Sequence, residues 1–139
     1  MRKKDIKLTI VEEDTIFVDA LKRMVEIVAT GDLNLNVESY SDGQAFLLSK
    51  PEAGEQPHII IINDILSKRS GVNVTHTLRK LADSHRFYII LLTLGRSEDE
   101  MVHALQSGVD YYLQRPINMR GLQAILERII ERQVYELSI

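Results

Sequence analysis

Acids, a carboxamide, a hydroxyl and a cation recur where apolar runs of the chain stop. Glu12-Glu13-Asp14 follow "KLTIV", Asn63-Asp64 follow "HIIII", Thr93 closes "YIILLT", and Arg115-Pro116 stand just behind "YYL". Carboxylates in such places can attack as nucleophiles or hold a hard cation, whereas a carboxamide is uncharged and a very poor nucleophile. Which of Asn63 and Asp64 occupies the reactive position therefore decides the chemistry.

Those groups need elements to carry them. Lys7–Val11, Asn36–Tyr40, His58–Ile62, Tyr88–Thr93 and Tyr111–Leu113 read as strands, two of them apolar on both faces, as a parallel strand covered by helices on both sides requires. Helical patterns lie between them: Thr15–Ala29, Gly43–Leu48, Asn73–Asp83, Glu98–Ser107, and from Asn118 onward. Asp14 or Thr15 is positioned to cap the first. Five strands alternating with five helices predict an open α/β fold, a five-stranded parallel sheet with helices on both faces, doubly wound in the flavodoxin-like (βα)5 manner. Ligands of such sheets bind at the carboxyl ends of the strands, where the acids, Thr93 and Arg115 all fall. "KPEAGEQP" between Lys50 and Pro57 reads as a loop within one domain, 1–139. The last helix has an apolar stripe at Leu122, Ile125, Leu126, Ile129, Ile130, Val134 and Leu137; its far end, "ERQVYELSI", reads as a frayed tail, a dimer contact or the start of a linker to an output domain.

Composition limits the function classes. With 139 residues, 45% hydrophobic and 27% charged, the chain has enough for one ordinary globular core, and zero cysteines exclude disulfides and thiolate metal sites. A net charge of -3 argues against nucleic-acid binding by the domain as a whole. Arg2-Lys3-Lys4 lacks the apolar segment of a signal peptide, and "FYIILL" is far short of a membrane span, so a soluble cytoplasmic protein is expected. His58, His76, His85 and His103 show no ligand spacing and are expected at or near the surface.

"IVEED", "SDGQAF", "PHIIIINDIL" with Gly71 beyond it, "LLT" and "SGVDYYLQRPI" occur in the order and spacing that resemble the receiver domain of two-component response regulators, over essentially the whole chain. The resemblance implies an aspartate at the end of the third strand that takes a phosphoryl group from a phosphohistidine, with magnesium held by acids after the first strand. It further implies a Ser/Thr after the fourth strand, a lysine before proline, and an aromatic on the fifth strand that reports the change. In this chain the corresponding residues are Asn63, Glu12 and Glu13, Thr93, Arg115 before Pro116, and Tyr112. The phosphoacceptor position thus falls on Asn63, with Asp64 as the alternative, and a slip to Asp64 would turn the side chain to the other face of the strand.

The departures all touch the chemistry. Asn63 cannot form an acyl phosphate, a magnesium site built on Glu12 and Glu13 is expected to be weak, and the planar Arg115 guanidinium is not equivalent to a lysine ammonium. A degenerate, non-enzymatic receiver is expected that needs no cofactor. Its partners are proteins: a second copy through the fourth helix, fifth strand and fifth helix, and a histidine kinase if one exists. An ion pair of Arg115 with Glu13 or Glu12 is expected to hold the site. Two rivals stay open: a phosphorylated receiver using Asp64, and a metal-dependent phosphoryl-transfer or hydrolytic enzyme using Glu12, Glu13, Asp14 and Asp64. The second lacks a phosphate-cradling glycine-rich loop.

Overall fold

A computed structural model describes residues 4–29, 31, 33–95 and 97–138, with side chains of the last helix described as far as Gln133. Five strands, β1 (Lys4–Val11), β2 (Leu33–Tyr40), β3 (His58–Asn63), β4 (Phe87–Thr93) and β5 (Tyr111–Gln114), alternate with α1 (Thr15–Val28), α2 (Gly43–Leu48), α3 (Gly71–Arg79), α4 (Glu98–Gln106) and α5 (Met119–Ser138). All four strand pairings are parallel, in the order β2-β1-β3-β4-β5. The chain steps outward from β1 to β2 and then crosses to β3 on the other side of β1. The carboxyl ends of β1 and β3 therefore flank the switch point.

Two apolar layers enclose the sheet. One face packs Ile6, Leu8, Ile10, Ile59, Ile61, Ile90 and Leu92 against α1 and α5; the other packs Val11, Ile60, Ile62, Ile89 and Leu91 against α2, α3 and α4. Successive strand residues face opposite ways, so the four isoleucines of β3 are shared two and two between the layers. Each fully buried side chain of this size contributes roughly 1.5–3 kcal/mol.

Polar residues set the helix ends. Of the two expected caps of α1, Asp14 rather than Thr15 takes the role and accepts from Ile16 N and Phe17 N; Asp42 caps α2 and Ser97 caps α4. The third helix differs from its expected range. It starts at Gly71 because Ser70 Oγ accepts from Asn73 N (3.1 Å), and it stops at Arg79, whose guanidinium leaves the helix to bond Ser84 O and Gly108 O. The expected loop Lys50–Pro57 contains a 3-10 turn at Pro51–Ala53. Strand β2 starts three residues earlier than expected, because Leu33, Asn34 and Leu35 pair with Lys4, Asp5 and Ile6. Arg2, Lys3 and the side chains of Val134 and Leu137 lie outside the described residues.

One expectation is overturned. His58 is fully buried at the start of β3, between the rings of Phe46 (5.9 Å between centroids) and Phe87 (5.5 Å). The strand enters the core at once, and its first side chain enters with it. The other three histidines are exposed. Among the described residues no helix is long and apolar enough to cross a membrane.

Candidate functional site

The carboxyl ends of β1, β3 and β5 bring Glu12, Glu13, Asp14, Asn63 and Arg115 to one cleft, bordered by Ile65 and Leu94. Glu12 continues β1 into the cleft, anchored by its backbone N–H to Tyr40 O (3.0 Å). Its side chain is only 7% exposed, and each carboxylate oxygen has a partner. Oε2 accepts from Arg115 Nη2 at 3.1 Å, and Oε1 accepts from Asp14 N at 3.1 Å. Arg115 in turn lies over the Phe17 ring, 5.0 Å from its centroid, and its backbone N–H donates to Thr93 O (2.7 Å). The cation thus comes from 103 residues along the chain and is held between an acid and an aromatic face.

Glu13 takes a different task. Its side chain is exposed and accepts from Ser67 N, tying the end of β1 to the loop between β3 and α3. Asn63 turns inward beside these acids, and its Oδ1 accepts from Ile65 N (3.3 Å). Two carboxylates already engaged by a guanidinium and by backbone N–H groups, with a neutral amide beside them, are a poor match to the oxygen-rich octahedral shell that magnesium demands. Among the described residues no group of three or more His, Cys, Asp or Glu side chains is placed to hold a metal ion.

Three of the expected residues lie elsewhere. Asp64 faces away from Asn63, and with Thr93 and Tyr112 it lines a second cleft between α3 and α4 on the opposite layer. Ile65 and Leu94, 64% and 46% exposed, border both clefts and form the ridge between them. Asp64 Oδ1 accepts from Val72 N (3.3 Å), and Thr93 Oγ1 accepts from Gly95 N (3.2 Å). The reversal at Asp64 is the strand alternation itself. Thr93 shares its parity with Leu91 and so joins the α3–α4 side. Convergence on one edge of the sheet is therefore divided between two faces.

Phe17 and Ser67 were missed in the sequence. A cation over Phe17 leaves no pattern in a helix whose apolar stripe already explains a phenylalanine, and a backbone donor such as Ser67 N has no residue signature at all. Gln114, whose Nε2 donates to Gly95 O (2.7 Å), likewise fastens β5 to the loop after β4 without announcing it.

The fold and this end-of-strand arrangement define a class: the chain matches the response regulator receiver domain over residues 8–127 and belongs to that family. It is 28% identical over 126 residues to the transcriptional regulatory protein CpxR of Escherichia coli K12, an alignment covering 91% of this chain and 50% of the relative. Similar figures hold for the alkaline phosphatase synthesis transcriptional regulatory protein PhoP of Bacillus subtilis 168, 28% identical with 91% and 49% covered. The chain spans about half the length of these curated relatives. The response regulator DrrB of Thermotoga maritima shares the fold, with a TM-score of 0.75 at 21% identity over 96% of this chain and 54% of that one. So does the receiver domain of the Pseudomonas aeruginosa PAO1 sensor histidine kinase PA1611, a structure with magnesium coordinated in its active site cleft (TM-score 0.67, 25% identity, 91% and 96% covered).

Proposed function

We propose that this receiver domain signals without a phosphoryl group on β3, as a pseudo-receiver whose site is held by its own side chains. The observation that carries the reading is Asn63 at the end of β3, inside the cleft where Arg115 meets Glu12 at 3.1 Å. A carboxamide offers no carboxylate oxygen to a phosphoryl donor. The guanidinium neutralises the acid that a metal would otherwise share, so magnesium is not required and binds weakly at Glu12 and Glu13. Asp64 points into the other cleft, away from Arg115, which counts against its use as the acceptor.

Output then runs through protein contacts. Helix α4 leaves Met101, Val102 and Leu105 partly open to solvent, an apolar strip that supports a homodimer through α4, β5 and α5. The domain would serve as the cytoplasmic receiver half of a longer regulator, with a histidine kinase as a partner only if contact without transfer is enough. It performs no catalysis in this reading.

Acetyl phosphate followed by intact-mass measurement tests the reading. No base-labile adduct is expected on the wild-type protein, and some labelling is expected on Asn63→Asp, together with tighter magnesium binding. A stable phosphoryl adduct on wild-type Asp64 would sink the proposal.

A further inference from the structure

The two edges of the sheet are unlike: β5 is four residues long and β2 is eight. Unpaired backbone groups at an edge attract another chain, and proteins ordinarily blunt them with short strands, lysine or proline. β5 is short. β2, "LNLNVESY", contains no proline, glycine, lysine or arginine, and Glu38 is its one charge. The parallel ladder fixes which of its groups are free. Glu12 N donates to Tyr40 O (3.0 Å), and Val11 stands opposite Tyr40. In such a ladder one residue directs its N–H and C=O to the neighbouring strand and the next directs both away. Asn34, Asn36, Glu38 and Tyr40 therefore bond to β1, whereas Leu33, Leu35, Val37 and Ser39 face outward. Among the described residues the backbone groups of Leu35 and Val37 have no hydrogen-bond partner, and the Val37 side chain is exposed.

We propose that β2 is a self-association edge, pairing antiparallel with β2 of a second copy about a twofold axis at Asn36. The edge is complementary to itself in that register. Leu35 faces Val37 of the second copy and Leu33 faces its Ser39, so the outward residues exchange about eight main-chain hydrogen bonds. Leu35 already packs on the α1-side layer, and Val37 of the second copy would extend that layer. On the other side Asn34 meets Glu38 of the second copy. Asn34 Nδ2 gives one proton to Asp5 Oδ1 and keeps another, while Glu38 meets Lys7 and Thr9 through Oε1 and keeps Oε2. A carboxamide donor thus faces a carboxylate acceptor, and no like charges stand opposite each other. That match within a single strand selects a second copy as the occupant. One strand from each copy makes a small interface, so the association is of the weak, concentration-dependent kind. The sheet would continue from one copy into the next, one strand away from β1, which leads into Glu12. This edge lies opposite β5, and the inference rests neither on the pseudo-receiver reading nor on the homodimer through α4, β5 and α5.

The chain has no cysteine, so single introduced cysteines report the register. Two copies of residue 36 on the axis would have Cα atoms about 4.5 Å apart, within the roughly 4.4–6.8 Å of a disulfide, whereas two copies of residue 34 would lie about 13 Å apart. Under mild oxidation Asn36→Cys is expected to form a disulfide-linked dimer about tenfold faster than Asn34→Cys. In the wild-type protein, hydrogen exchange at Leu35 N and Val37 N is expected to slow as concentration rises, while Asn36 N and Glu38 N, bonded to β1, stay unchanged. Val37→Pro removes an outward donor and no bond to β1, and is expected to abolish the concentration dependence at Leu35. Val102→Glu, which disrupts the α4 strip, is expected to leave both the cross-link and the exchange signal in place. Equal cross-linking of the two cysteine variants, or exchange at Leu35 and Val37 that ignores concentration, would overturn the proposal. Loss of both signals in Val102→Glu would assign them to the α4 face and overturn it as well.

Discussion

At the carboxyl end of the sheet, Glu12 is buried against a cation delivered from the far end of the chain. At the amino end His58, more deeply buried, has among the described residues no acid against its ring: its Nε2 lies 2.7 Å from Thr9 Oγ1, and Thr9 Oγ1 donates to Glu38 Oε1 (3.2 Å). Since the single threonine proton goes to the carboxylate, His58 Nε2 must carry the proton of the shorter bond, which leaves Nδ1 as an unpartnered acceptor. Burial lowers the His58 pKa to about 3, with Lys7 and Arg86 pushing in the same direction. The difference lies in which charges each end brings together. At the carboxyl end a cation meets an acid; at the opposite end cations face a base, so the base gives up its charge.

The largest effect is expected at the amino end. With a folded pKa near 3 against an ordinary 6.5, the unfolded chain takes up a proton first as the pH falls. Stability from this group is therefore complete above about pH 6.5 and declines on acidification until about pH 3, by up to the order of 4 kcal/mol. Urea unfolding of wild type and His58→Gln at a series of pH values isolates it from the carboxylates. The wild-type advantage should shrink from pH 6.5 toward pH 4, and a constant difference would show that the ring takes up its proton alike in the folded and unfolded chains.

At the carboxyl end Arg115→Ala strips the partner from a buried carboxylate. A fully buried pair broken in this way costs roughly 3–5 kcal/mol; because the Arg115 side chain is 28% exposed, the loss should be nearer about 2 kcal/mol. A double-mutant cycle with Glu12→Gln should show coupling of roughly 1 kcal/mol or more, and the same cycle with Glu13→Gln should be close to additive. Coupling to Glu13 alone would reverse the assignment of the pair.

Glu13→Ala should have the smallest effect, below about 1 kcal/mol on global unfolding, because the side chain is exposed. Its consequence is local. Hydrogen exchange at Ser67 N should quicken while that of Ile61 and Ile62 stays unchanged, and equal acceleration at all three would mean that the loop clasp supports the sheet as a whole.

The sequence by itself determined the layers, since the isoleucine run of β3 and the stripe of α5 each state their burial by local period. It also determined that Asn63 and Asp64 look opposite ways, because a strand alternates without reference to the rest of the fold. It left open whether Arg115 would choose Glu12 or Glu13, and it gave His58 no sign of burial. Only the tertiary structure decided these. The pairing of Arg115 with Glu12 depends on where β5 stands relative to β1 across two intervening strands, and on a backbone donor at Ser67 that engages Glu13. His58 is buried because the loop before β3 and the rings of Phe46 and Phe87 close over the first residue of the strand. Alternation and amphipathic period are local properties of a chain; which charges meet depends on distances that exist only once the sheet has assembled.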